Sequence, residues 1–153
     1  MNPQRAGQSP QIRLSRSNRW AMVLGAIGLA AVFGVARRLE PDPRGYGTHT
    51  QLGLYPCMFA QVTGYRCPSC GMTTSFAWFV RGRWERSWRA NPAGSLLAPT
   101  CAVLIPWLLA GAAWGRPVGC RSPEVPLIGL VVATVALSLL SWTFRLLIGR
   151  VLR

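Results

Sequence analysis

Apolar and polar positions in this chain are segregated into long blocks rather than interleaved. Residues 1–18 are rich in Arg, Ser, Gln and Pro, a composition that predicts a disordered basic tail. The first apolar block runs from Trp20 to Ala36; as a helix it covers roughly 26 Å of a hydrocarbon core about 30 Å thick. A second block, Ala93 to Trp114, covers roughly 33 Å. Asn91-Pro92 precedes it, Asn being a preferred N-cap and Pro a residue that fits the first helical position. Pro99 and Pro106 interrupt this block and predict kinks. A third block, residues 126–144, carries no charge and has Trp142 near its end. Residues 115–125 read as a connecting loop, and residues 145–153, with Arg145, Arg150 and Arg153, as a basic tail.

Between the first two blocks the pattern changes. Pro56 suits a helix start and Thr63-Gly64 a helix stop, which predicts a short helix carrying Cys57. Cys67-Pro68-Ser69-Cys70-Gly71 then makes a compact turn into another helix. On it Met72, Phe76, Val80, Trp84 and Trp88 recur every fourth residue, beside Arg81, Arg83, Arg86 and Arg89. This is one apolar face; its Trp and Arg suit the membrane interface, and packing on the spanning helices explains it equally well. Gly82 should divide it into two pieces. The fold expected is an all-α membrane protein with three transmembrane helices (about 20–36, 93–114 and 126–144). An interfacial Cys-bearing helical hairpin (55–92) lies between the first two, within a single membrane domain, 19–144.

Composition sharpens that picture. Half the residues are hydrophobic and the net charge is +13, with seventeen arginines and no lysine. Such a charge raises nucleic acid as a partner, but the arginines flank the apolar blocks, where phospholipid headgroups attract them, and no nucleic-acid-binding motif accompanies them. The expected partners are the lipid bilayer and another membrane protein, with no nucleic acid. Eleven arginines fall on the side of the 37–92 loop and the C-terminal tail, and six on the other. The positive-inside rule therefore puts the cysteine loop in the cytoplasm, although the arginines before the first span argue the opposite. A cleavable signal peptide ending near Gly34-Val35-Ala36 is the rival to a retained first span; the block's length and the further spans favour retention.

The candidate chemistry lies in Cys57, Cys67 and Cys70, and three readings stay open. As metal ligands the thiolates would form most of a zinc site, with His49, the single histidine, as the available fourth ligand. As a redox pair, Cys67 at a helix start would attack and Cys70 resolve, although no strand–helix–strand pattern supports a thioredoxin fold. As structural residues they would fill a tight turn or form a fixed disulfide. Cys101 lies inside the second span and reads as packing; Cys120 reads as a loop thiol. Thr73, Thr74 and Ser75 offer backbone N–H groups to an anion or are ordinary helix-start residues. Glu40, Asp42, Glu85 and Glu124 are too scattered for paired acid–base work.

The string Cys57-x9-Cys67-Pro68-x-Cys70-Gly71-Met72-Thr73, then a helix, Arg81-Gly82-Arg83 and Asn91-Pro92, resembles the bacterial membrane proteins of the family of unknown function DUF2752. Residues 55–93 carry the resemblance. Met58, Ser69 and Thr74 depart from the Pro, Gly and Arg common there. The resemblance implies a small multi-pass protein of the bacterial inner membrane and no particular activity. The function expected is a non-enzymatic membrane protein with a structural or metal-binding Cys57/Cys67/Cys70 loop, zinc being the implied ion. The alternative is a membrane thiol–disulfide oxidoreductase using Cys67 and Cys70.

Overall fold

A computed structural model describes residues 13–116 and 124–151. Among these residues six α-helices follow one another: α1 (Arg16–Arg38), α2 (Met58–Thr63), α3 (Met72–Phe79), α4 (Trp84–Ala90), α5 (Pro92–Trp114) and α6 (Glu124–Val151), with a 3-10 turn at Thr48–Leu52 between α1 and α2. Among the described residues there is no strand. Helix α1, helix α5 and residues Ile128–Leu147 of α6 are long and apolar enough to cross a membrane, and the Cys-bearing segment lies between the first two, as expected.

Helix boundaries follow local chemistry. The Ser15 side chain accepts a hydrogen bond from the Asn18 N–H, so α1 starts ahead of its apolar block and within the tail expected to be disordered. Residues 1–12 of that tail, and Cys120 with most of the 115–125 loop, lie outside the described residues. Asn91 caps α5 by accepting from the Gly94 N–H at 3.0 Å, and Pro92 takes the first helical position. Helix α6 continues through Arg145 to Val151. The basic tail expected from 145 is therefore helical as far as Val151, because Leu146, Leu147 and Ile148 extend the apolar run beyond the arginine.

Helices α1 and α5 run antiparallel in close contact. At one end Met22 and Ala26 meet Leu108 and Ala112; toward the other, Ala36 meets Phe76, Ala98 and Cys101. Small residues at such a seam let backbones approach where lipid gives apolar surfaces little reason to associate. Each end is fastened by arginine on a helix C-terminus, where cations are favoured. Arg19 Nε donates to the Ala112 carbonyl at 2.6 Å. Arg81, just beyond α3, donates to the carbonyls of Ala36, Arg37 and Leu39 at the end of α1, and to that of Ala77 in α3. Arg37 in turn reaches the Val80 carbonyl.

The four-residue apolar row divides as expected at Gly82, which has φ +69°. Its two halves differ. Helix α3 buries Thr74, Ser75, Phe76 and Ala77 in succession, more than a single face, because α1, α4, α5 and the 3-10 turn surround it. Trp84 and Trp88 on α4 remain half exposed.

Candidate metal centre

Two short segments carry the three cysteines. Cys57 is the N-cap residue of α2, which ends at Gly64 with φ +72°. Cys67 and Cys70 occupy a turn closed by the Cys70 N–H donating to the Cys67 carbonyl at 3.0 Å; the Met72 N–H then donates to Ser69 and leads into α3. Together these place the three Sγ atoms within 4.8 Å of one another, with Cys67 and Cys70 sulfurs 3.3 Å apart. All three thiols are free and partly buried.

The turn is held by contacts outside it. Asn91 Nδ2 donates to the carbonyls of Pro68 (3.2 Å) and Cys70 (3.1 Å) while its Oδ1 caps α5. One buried amide thus locks the cysteine turn onto the start of a spanning helix. Gly71 sits at φ +87°, and a Cβ there would lie 2.5 Å from the Gly45 carbonyl oxygen and 2.6 Å from that of Ala90. Only glycine fits both the left-handed backbone and that approach. Beneath it the Thr48 and Thr74 hydroxyls meet at 2.8 Å. The Ser75 and Ser87 hydroxyls meet at 2.9 Å, and Ser87 donates to the Ser75 carbonyl. On the outer side Trp142 Nε1 donates to the Arg66 carbonyl at 2.6 Å, and the Trp142 ring meets Phe59 edge-on.

The thiols are electrostatically unequal. The Ala60 N–H, with smaller help from the neighbouring thiols and the Cys67 backbone, lowers the Cys57 thiol below its ordinary range against a modest burial effect. Burial, and then hydrogen bonding to Cys67 and Cys57, pushes Cys70 up to about 12. A sulfur this reluctant to ionise alone becomes a thiolate when a cation stands beside it.

His49, the fourth ligand considered from the sequence, is elsewhere: its Nε2 lies 3.3 Å from the Tyr55 carbonyl, and among the described residues no His, Asp or Glu joins the three sulfurs. The hydroxyls of Thr74 and Ser75 are engaged in buried hydrogen bonds, and the Ser75 N–H, one of the three groups considered for an anion, donates to the Gly71 carbonyl. Cys101 packs in the α1–α3–α5 core, as expected. The sequence reading took Asn91 only as a helix cap and missed its grip on the turn. It also missed the close approach at Gly71, for which glycine directly after Cys-x-x-Cys was the available signal.

Three sulfurs at this separation suit one thiophilic ion. A tetrahedral site with Zn–S of about 2.3 Å has sulfurs roughly 3.8 Å apart, within reach by side-chain rotation. The Cys67–Cys70 spacing also suits thiol chemistry.

Residues 57–105 match the model of a family described as a protein of unknown function (DUF2752), about a third of the chain. The match supports the resemblance seen in the cysteine string and spans α2 to the middle of α5. No curated protein and no solved structure matches the chain.

Proposed function

We propose that this chain is a multi-pass membrane protein in which Cys57, Cys67 and Cys70 bind a zinc ion that fastens α2 to the start of α3. The observation that carries this reading is the convergence of three thiols from two segments within 4.8 Å. A redox pair needs only two of them; a metal uses all three, with water or a partner's ligand in the fourth position. The ion acts structurally and no reaction is assigned. Helix α1 belongs to the membrane domain, which its packing on α3 and α5 supports. Elemental analysis of detergent-purified full-length protein should find about one zinc per chain, lost in Cys67→Ser. Fully reduced wild-type protein purified without metal would sink the reading.

The 3.3 Å approach of Cys67 and Cys70 favours a second reading, thiol–disulfide exchange. The Cys67 thiolate attacks a partner disulfide and expels one partner thiolate. The Cys70 thiolate then displaces the other, leaving a Cys67–Cys70 disulfide and a partner reduced by two electrons. Differential alkylation in cells separates the two: a substantial oxidised Cys67–Cys70 fraction supports exchange, and three reduced thiols in zinc-loaded protein reject it.

For location, we infer the inner membrane of a bacterium with the cysteine end cytoplasmic, supported by the excess of arginines on that side. A membrane-impermeant thiol reagent should leave Cys57 unlabelled in intact cells and label it after lysis and chelation; labelling of intact, chelator-treated cells would reverse the orientation.

A further inference from the structure

Beside the thiol triad a separate cavity of about 310 Å³ opens between the cysteine turn and the C-terminal part of α6. Its volume is at the lower end of small-molecule sites, roughly 300–1,000 Å³. Tyr65, Arg66 and Cys67 line one wall; Ser141, Trp142 and Arg145 line the other. The 2.6 Å bond from Trp142 to the Arg66 carbonyl pins these walls together, so the cavity is framed by the fold.

Its electrostatics are one-sided. Arg66 and Arg145 line the same cavity from opposite walls, and neither has a carboxylate partner among the described residues, whose ion pairs are Arg44–Asp42 and Arg89–Glu85. The Arg66 guanidinium lies over the Tyr46 ring at 4.0 Å, which restrains its plane while leaving its N–H edge to donate. Two like charges without a counter-ion are costly to hold together unless an anion sits between them. Arg145 is the first charge after the uncharged run 126–144 on α6, and a cation flanking an apolar span marks the depth at which headgroup phosphates meet a spanning helix.

We propose that this cavity binds a phosphate group between Arg66 and Arg145, each guanidinium offering a fork of N–H donors to phosphate oxygens. The phosphate belongs to an anionic phospholipid headgroup or to a soluble phosphate compound, the two sources sharing this chemistry.

The test uses full-length protein in a neutral detergent. Native mass spectrometry reports retention of added phosphatidylglycerol against phosphatidylcholine, and calorimetric titration reports inorganic phosphate. Wild type should retain phosphatidylglycerol, bind phosphate, or both. Arg145→Gln should weaken whichever is bound by about tenfold, the loss expected for one charge-assisted contact. Arg145→Lys, which keeps the charge, should fall between. Arg86→Gln on α4, outside the cavity, should bind like wild type, and zinc content should be the same in all four proteins. Lipid retention alone identifies a headgroup and phosphate binding alone a soluble ligand. Equal retention of both lipids without phosphate binding overturns the proposal, as does undiminished binding by a folded Arg145→Gln.

Discussion

The cysteine end and helix α6 are built on opposite terms. Around the cysteine turn the buried side chains are polar: Asn91, Thr48, Thr74, Ser75, Ser87 and Ser95 are among the most deeply enclosed in the molecule. The side chains of Asn91, Thr48, Thr74, Ser75 and Ser87 bond to one another or to backbone, and no buried side-chain polar atom among the described residues lacks a partner. Helix α6 is almost wholly apolar yet largely uncovered, with Ile128, Val131, Val132, Leu140 and Phe144 exposed. In water this distribution would be inverted. In a bilayer apolar surface needs no protein cover, whereas a polar group away from water must find a partner. Specific structure at the cysteine end therefore comes from hydrogen bonds and glycine contacts, and α6 contributes mainly a span. The family match covers the first region and none of α6.

That contrast should break first at Gly71. Gly71→Ala forces a Cβ onto two backbone carbonyls at positive φ and should cost about 4 kcal/mol or prevent accumulation. Gly64→Ala, also at positive φ but with open space around it, should cost about 1 kcal/mol. Thermal unfolding in detergent separates them, and equal losses would show that backbone strain alone matters.

Asn91→Ala should follow at about 3 kcal/mol, from a lost cap and two carbonyls left without a donor. Asn91→Asp sharpens the reason. A carboxylate still caps α5 but cannot donate to Pro68 and Cys70, so it should restore no more than the cap's share of about 1 kcal/mol. Full recovery with Asp would reduce Asn91 to a helix cap.

Metal removal should come next. Chelation of zinc-loaded protein should lower stability by about 2–3 kcal/mol at free ion a hundredfold above its dissociation constant, and Cys57→Ser, Cys67→Ser and Cys70→Ser should each abolish the chelator effect. A chelator effect that persists in Cys67→Ser would place the ion elsewhere.

Much of this architecture was legible in the sequence, for identifiable reasons. Spans depend on block length and composition, so α1, α5 and α6 emerged with their ends shifted by a few residues at Ser15 and beyond Arg145. Caps depend on adjacent residues, so Asn91-Pro92 and Gly64 were readable. The three cysteines were singled out, yet their convergence, and the distance of His49 from them, depend on how two loops fold back on α5. Tertiary contacts decide that, and they leave no periodic trace. The burial of Thr74 and Ser75 was hidden for the same reason: hydroxyls at a helix start look alike whether they meet water or Thr48 and Ser87.

The smallest effect expected is the most informative about α6. Val132 is 61% exposed, and in detergent or lipid its methyl groups touch hydrocarbon whether or not the protein is present. Val132→Ala should therefore change stability by less than about 0.5 kcal/mol, against the several kcal/mol expected for one methyl added at Gly71. A loss above about 1 kcal/mol would mean that this face packs against protein. If that loss also grew with protein concentration, the cover would be a second copy of the chain, since only association makes apparent stability depend on protomer concentration. A concentration-independent null result leaves α6 as a lipid-facing span whose outer surface carries little structural information.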